Sequence, residues 1–420
     1  PSSAAASATL LKSDACSLQR LSLEGNMLKD AGAVSLASGL ALNQSLERLS
    51  CCYCRIRPKG LSALAAALQS PTSVLEALDV SQNEVCGLNK YGEGWFSASG
   101  IISLAQALEN NAGLTELNLS HNALLDDGAV ALASCLKDNT SLRNLDLSSC
   151  GVGNRGIDSF ARVLELFNSS IVSLRLNDNM IDDLLLFGDM LLKNASLACI
   201  GLSNNPILDE GGLFVLRSGA KFRALELENC GLGPSVARRL AELVKSGDSK
   251  LVSLSVAGNG GIVGASAEAL AHAVLESDTT LRSFSGIALD ELRDGTFGAS
   301  TLNLSSRKLG EVEGIVLTTL LHLPVPKLTD VRLERNPGLS GKPAIHLAAA
   351  LLASDSILTV SSIPVRDLQE QALTELCLVD AGLCVTEAHI IAGLLRVNGS
   401  LRSLRLARNT LCGVWLEENE

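Results

Sequence analysis

A chain of 420 residues with 34 Lys plus Arg against 45 Asp plus Glu carries a formal charge of −11, and 47% of it is hydrophobic while only 3% is aromatic. That composition excludes a disordered acidic polymer. The longest unbroken apolar run, Leu347 to Ala353, falls far short of the ~20 residues that cross a bilayer, so no membrane insertion is expected. Nor is nucleic acid expected as a partner, because affinity for phosphate draws on clustered Lys and Arg and the chain has no basic run. The twelve cysteines are thinly spread inside apolar patterns, and no secretion signal precedes them, which predicts a reduced, intracellular, cytoplasmic protein.

From Leu18 onward one pattern recurs. Leu18-Gln-Arg-Leu21-Ser-Leu23-Glu-Gly-Asn26 returns as Leu114-Thr-Glu-Leu117-Asn-Leu119-Ser-His-Asn122 and as Leu142-Arg-Asn-Leu145-Asp-Leu147-Ser-Ser-Cys150. Copies begin at Leu18, Leu46, Leu75, Leu114, Leu142, Ile171, Leu197, Phe222, Leu251, Leu328 and Leu401, with degenerate ones at Leu281, Ala299, Ile357 and Leu373, fifteen in all. Most starts are 28 or 29 residues apart. In each unit the Leu-x-Leu portion has the two-residue period of a short strand. The stretch that follows, such as Gly128 to Leu136, has helical spacing. Neither element buries its apolar side alone, so successive units are predicted to stack, with parallel strands on one face and helices on the other. Asn at the ninth position is expected to bond backbone groups without a ladder partner, and Cys54, Cys150 and Cys230 fill the same space.

Between Leu75 and Leu114 the spacing grows to 39, placing an insertion near residues 87–97. It holds Tyr91, Trp95 and Phe96, three of the chain's 12 aromatic residues, and insertions in solenoids emerge as loops at one rim. A binding loop is predicted; the alternative is that Trp95 and Phe96 fold back over the neighbouring helices. Further on, the spacings of 18 after Leu281 and 16 after Ile357 leave no room for a full helix, and the two segments align at an offset of 76 residues. Regular repeats are therefore expected over 1–280 and alternating long and short ones over 281–420, within a single solenoid spanning 1–420. Neither end carries a polar capping unit: residues 1–17 offer the end of one helical segment, and little follows Asn409. Both ends are expected to be covered by further repeats or neighbouring subunits.

The motif and its period resemble the ribonuclease-inhibitor-like subfamily of leucine-rich repeat proteins over nearly the whole chain. The resemblance implies an α/β solenoid, a horseshoe with a parallel sheet on the concave face and helices on the convex face. It also implies protein binding, as in ribonuclease inhibitors, NOD-like receptor sensor segments, tropomodulin-type actin cappers and the GTPase-activating protein for Ran. No Walker A sequence and no long acidic tail singles out one of these.

Gly151-Val-Gly153-Asn-Arg-Gly156 matches a dinucleotide fingerprint, follows a strand and opens a helix. Gly156, however, is in register with the repeat glycines Gly32, Gly60, Gly128 and Gly211, and stacked repeats lack the crossover that a dinucleotide fold uses. Gly258 to Gly264 lacks the Lys-Ser/Thr ending of a phosphate loop. Cys51-Cys-Tyr-Cys54 has no second pair nearby, and with Cys51 and Cys54 in core positions only Cys52 is expected to project outward. No catalytic, cofactor or metal residues are assigned.

The unlettered positions of the motif face away from the core. Copies three to six run through Glu76, Asp79, Glu116, Asn118, His121, Asn144, Asp146, Arg175 and Asp178, largely acidic; later copies supply Arg332, Arg335, Arg402, Arg405 and Arg408; the first two supply Arg20, Arg48 and Tyr53. Opposed charge patches and aromatic anchors predict a non-enzymatic scaffold that binds a folded protein partner. The alternatives are a regulator of a small GTPase and, through the Gly151 motif, a nucleotide-dependent oxidoreductase.

Overall fold

A computed structural model describes residues 8–412 except Asp14, Lys90, Ser277 and Asp278. Residues 1–7 and 413–420, on which much of the reading of the two ends falls, lie outside the described residues. The chain divides into two compact units, Pro1–Glu226 and Leu227–Glu420.

In the first unit eight three-residue strands alternate with helices. These are β1 (Arg20–Ser22), β2 (Arg48–Ser50), β3 (Ala77–Asp79), β4 (Glu116–Asn118), β5 (Asn144–Asp146), β6 (Ser173–Arg175), β7 (Cys199–Gly201) and β8 (Ala224–Glu226). The helices are α1 (Lys29–Leu40), α2 (Pro58–Leu68), α3 (Ser99–Asn110), α4 (Leu125–Cys135), α5 (Asn154–Leu166), α6 (Leu185–Lys193) and α7 (Leu208–Leu216). All eight strands pair in parallel and in chain order, so Leu21, Leu49, Leu78, Leu117, Leu145, Leu174, Ile200 and Leu225 form one row. From Leu49 onward that row is buried against the inner faces of the helices.

Two asparagine ladders close the gaps between rungs. At the ninth position Asn83 Nδ2 donates to the carbonyls of Cys51, Val80 and Ser81, each at 2.9 Å, while its Oδ1 accepts from Cys54 N at 3.0 Å and Ile56 N at 2.9 Å. Asn122, Asn179 and Asn205 repeat the arrangement. Where the position is cysteine, the thiol donates instead, Cys54 to Leu23 O at 3.1 Å and Cys150 to Leu119 O at 3.3 Å. The second ladder was not read from the sequence. Asn43, Asn111, Asn139, Asn168 and Asn194 each stand three residues before a copy starts and donate to a carbonyl near the end of the previous helix. Before β8, Lys221 does this work: its Nζ donates to Leu191 O and Asn194 O, both at 2.6 Å.

Cys52 does not project outward as expected. It is buried, because its short side chain lies in the turn against Ser81 of the next repeat, and burial pushes its thiol up, as it does those of Cys51 and Cys54.

The second unit contains α8 (Pro234–Lys245), β9 (Ser253–Ser255), α9 (Ala265–Leu275), β10 (Ser283–Phe284), β11 (Ile287–Ala288), α10 (Leu289–Arg293), β12 (Thr301–Asn303), α11 (Glu311–Leu321), β13 (Asp330–Arg332), α12 (Gly341–Ala353), β14 (Thr359–Val360), β15 (Ile363–Pro364), α13 (Val365–Gln369), β16 (Glu375–Cys377), α14 (Val385–Leu395) and β17 (Ser403–Arg405). Every predicted copy has its forward strand. The short repeats depart from expectation, however: each carries an extra strand running backwards, β11 against β10 and β15 against β14. Ser285 and Gly286, and Ser361 and Ser362, all have positive φ, as a two-residue turn of type I′ requires. Only a single turn of helix follows, α10 or α13. At the rim the long repeats then reach across the short one, Gly258 N to Lys308 O and Arg335 N to Gly382 O, each at 2.8 Å.

A buried carboxylate fastens each seam. Glu313 accepts from Gly310 N at 2.9 Å and from Ser285 Oγ at 2.7 Å; Glu387 accepts from Cys384 N at 2.9 Å and from Ser361 Oγ at 2.7 Å. Burial raises the pKa of both.

Candidate protein-binding rim

After each three-residue strand the chain must leave the sheet, and it does so at the eighth position of the copy in left-handed backbone. Tyr53, Gln82, His121, Ser149 and Asp178 have φ between 54° and 56°. Their amides stay tied to the next repeat, Tyr53 N to Ser81 O at 3.1 Å, Gln82 N to Ser120 O at 2.9 Å and His121 N to Ser148 O at 2.8 Å. The side chains are thereby held in a row along the rim.

The insertion is an ordered hairpin beside this row. Leu88 bridges Gly94, Asn89 N donates to Glu93 O at 2.9 Å, and Asn89 Oδ1 accepts from Tyr91 N at 2.9 Å and Glu93 N at 3.0 Å. The crossing is so close that a Cβ on Gly87 would stand 2.3 Å from the Trp95 carbonyl oxygen, and both Gly87 and Gly94 have positive φ. Trp95 is left 92% exposed, so it does not fold back over the helices, whereas Phe96 at the base is half-buried. Between hairpin and rim lies a cavity of about 350 Å³ lined by Tyr53, Arg55, Gln82, Asn83, Glu84, Asn89, Tyr91 and His121. It collects three of the predicted contact residues, Tyr53, Tyr91 and His121. Sequence reasoning missed Arg55, Gln82 and Asn89, although Gln82 shares the eighth position with Tyr53 and His121.

Two arginines of the first unit's strand face are paired across strands. Arg48 on β2 reaches over Ala77 to form a two-pronged bond with Glu116 on β4, at 2.8 and 3.1 Å. Arg175 reaches over Gly201 to Glu226 at 3.4 Å, with Asn177 donating to the same carboxylate at 2.7 Å. A missing or minimal side chain on the middle strand permits both spans: a Cβ on Gly201 would stand 2.8 Å from Asn177 Oδ1. Arg48 is therefore not an unpaired charge beside Arg20 and Tyr53. The pairs are half-exposed and contribute about 0–1 kcal/mol each, so they shape the face more than they stabilise it. Asp146 accepts from Ser148 N at 2.9 Å, and Asp178 is exposed at the rim. In the second unit Arg332 donates to Asp330 at 3.0 Å and Arg335 lies against Gly382, while Arg402, Arg405 and Arg408 are exposed on and around β17.

The Gly151 fingerprint is already filled. Asp126 of the preceding repeat places Oδ1 at 2.8 Å from Gly153 N and 2.9 Å from Gly156 N, which puts a carboxylate where a pyrophosphate would sit. Asp30 does the same for Arg57 N and Gly60 N. The motif is thus a repeat-to-repeat helix cap. Among the described residues no cluster of three or more His, Cys, Asp or Glu is placed to hold a metal ion, and no helix is long and apolar enough to cross a membrane.

Comparison with known proteins agrees with this architecture. A family model described as Leucine Rich repeat matches residues 14–37, 110–133 and 138–161. The chain is similar to mouse NACHT, LRR and PYD domains-containing protein 14, 30% identical over 276 residues, covering 57% of this chain and 26% of that protein. Human NACHT, LRR and PYD domains-containing protein 13 is 32% identical over 198 residues, covering 46% of this chain and 18% of the other. Pig ribonuclease inhibitor is 27% identical over 316 residues, 70% of this chain and 64% of the inhibitor. The chain thus spans about a quarter or less of the length of the first two relatives.

Proposed function

Because this chain is a leucine-rich repeat protein of the ribonuclease-inhibitor-like type, we propose that it is a non-enzymatic binding scaffold. It docks a folded protein partner through the rim and strand face of its first unit, inside the cell, as one component of a larger assembly. One observation carries the reading: the chain has only two tyrosines, and both, Tyr53 and Tyr91, line one rim cavity, 59% and 74% exposed, beside a hairpin that presents Trp95. Exposed aromatic rings on a rigid frame lose little conformational freedom on binding and bring much contact area, which is why they dominate interface energetics.

The test is affinity purification with quantitative mass spectrometry on three forms: wild type, the triple variant Y53A/Y91A/W95A, and R402E/R405E/R408E. The reading expects a set of proteins retained by wild type and by the arginine variant but lost from the aromatic variant. Equal retention by all three forms would refute it. Loss from the arginine variant alone would move the contact surface to β17.

A further inference from the structure

We infer that the rim cavity of the first unit takes an acidic peptide segment, an aliphatic residue against the two tyrosine rings and a neighbouring carboxylate on the Arg55 guanidinium. This rests on the binding-scaffold reading and specifies its partner's chemistry.

Among the described residues two ionised side chains line the cavity, Arg55 and Glu84, and two more touch its lining, Arg57 on Glu84 and Glu93 on Asn89. Glu84 is taken: Arg57 Nε donates to its Oε2 at 2.8 Å. Arg55 is exposed, and among the described residues it makes no ion pair or side-chain hydrogen bond. Its left-handed backbone, φ 54°, is a costly conformation for a long side chain. An arginine fork matches a carboxylate in two-pronged geometry, and such a charge-assisted bond is about twice as strong as a neutral one. The tyrosine rings supply the apolar wall, and His121 stands on the same rim row.

A phosphorylated segment fits less well. A phosphate group carries about two negative charges and is held by several cations, whereas here one arginine faces the cavity and the Glu84 carboxylate lies in its lining. The overall charge of −11 does not forbid an acidic ligand, since at physiological salt the field of distant groups is screened beyond about 8 Å.

The experiment pans a random twelve-residue phage peptide library on the immobilised full-length chain, with R55E and Y53A/Y91A as parallel targets, each checked for folding by circular dichroism. Recovered peptides enriched in Asp or Glu next to an aliphatic residue, bound at least about tenfold more weakly by R55E and released by phenylacetate more readily than by phenyl phosphate, support the inference. Peptides that need Tyr53 and Tyr91 but show no acidic enrichment, or that R55E binds unchanged, overturn it while leaving the scaffold reading standing. Preferential release by phenyl phosphate overturns it in favour of a phosphorylated segment. If nothing is enriched, or binding is indifferent to Tyr53 and Tyr91, the inference and the rim assignment fall together.

Discussion

Replacing Asn83 by alanine removes the amide that joins two successive rungs. Its Oδ1 serves the amides of Cys54 and Ile56, and its Nδ2 serves the carbonyls of Cys51, Val80 and Ser81. Val80 O keeps a second donor, Asn122 Nδ2 at 3.0 Å, so the carbonyl side is partly covered. The two N–H groups have no such reserve. Each buried, unsatisfied group costs about 1–3 kcal/mol, which sets the loss at about 2–6 kcal/mol. Asn26 occupies the same place in the first copy but is exposed, and its Nδ2 donates only to Leu23 O and Glu24 O. N26A should therefore cost under about 1 kcal/mol, since water replaces exposed bonds. Because a long repeat array need not unfold in one step, the local readout is amide hydrogen exchange at Cys54 and Ile56, with urea denaturation as the global check. Equal effects of N83A and N26A, or unchanged protection at Ile56 in N83A, would defeat the reasoning.

Burial lowers the Lys221 pKa to about 8. The unfolded chain then binds the extra proton between that value and the ordinary lysine range near 10.4, so this residue should add stability as pH rises from about 8 to about 10. Wild type should gain stability relative to K221M over that interval, and a flat difference, or a lysine side-chain NMR titration midpoint above 10, would count against the buried geometry. Glu313 has its pKa raised by burial, so its contribution is greatest below the ordinary carboxylate range and is lost as pH rises through the raised folded value. Wild type should accordingly lose ground to E313Q between acid and neutral pH in paired denaturation curves; the opposite slope would show that the hydrogen bonds from Ser285 and Gly310 outweigh desolvation.

The strands and long helices were legible because a three-residue Leu-x-Leu strand and an Asn at the ninth position repeat in phase, and all fifteen copies sit where their spacing placed them. The backward strands of the short repeats were not. Their signal is two residues long, Ser285-Gly286 and Ser361-Ser362, and hydrophobic period alone does not tell a hairpin from a loop. The second asparagine ladder is present as Asn at the third place before Leu46, Leu114, Leu142 and Leu197, a regularity that lies outside the nine-residue Leu motif. At the rim, position and composition anticipate His121 and a loop carrying Tyr91, whereas Tyr53 is expected on the inner face. That Arg48 reaches Glu116 is not anticipated, because a pair two strands apart depends on the smallness of the residue between them, Ala77. Alternation alone puts Cys52 outside, because it ignores how deeply a short side chain sinks in a turn.

The rim bonds from Gly258 to Lys308 and from Arg335 to Gly382 tie together repeats that are not consecutive in the chain. A short repeat is therefore not a separable brick. Cutting out the stretch from Leu281 to Gly298 alone would leave the Glu313 carboxylate buried without the Ser285 hydroxyl that it accepts from. Recombination or engineering that respects these tethers has to move a short repeat together with the two long ones that follow it, a cassette of about 76 residues by the offset between Leu281 and Ile357. In an array built from uniform bricks any junction serves as a cut point; in this one the permitted junctions are spaced more than twice as far apart.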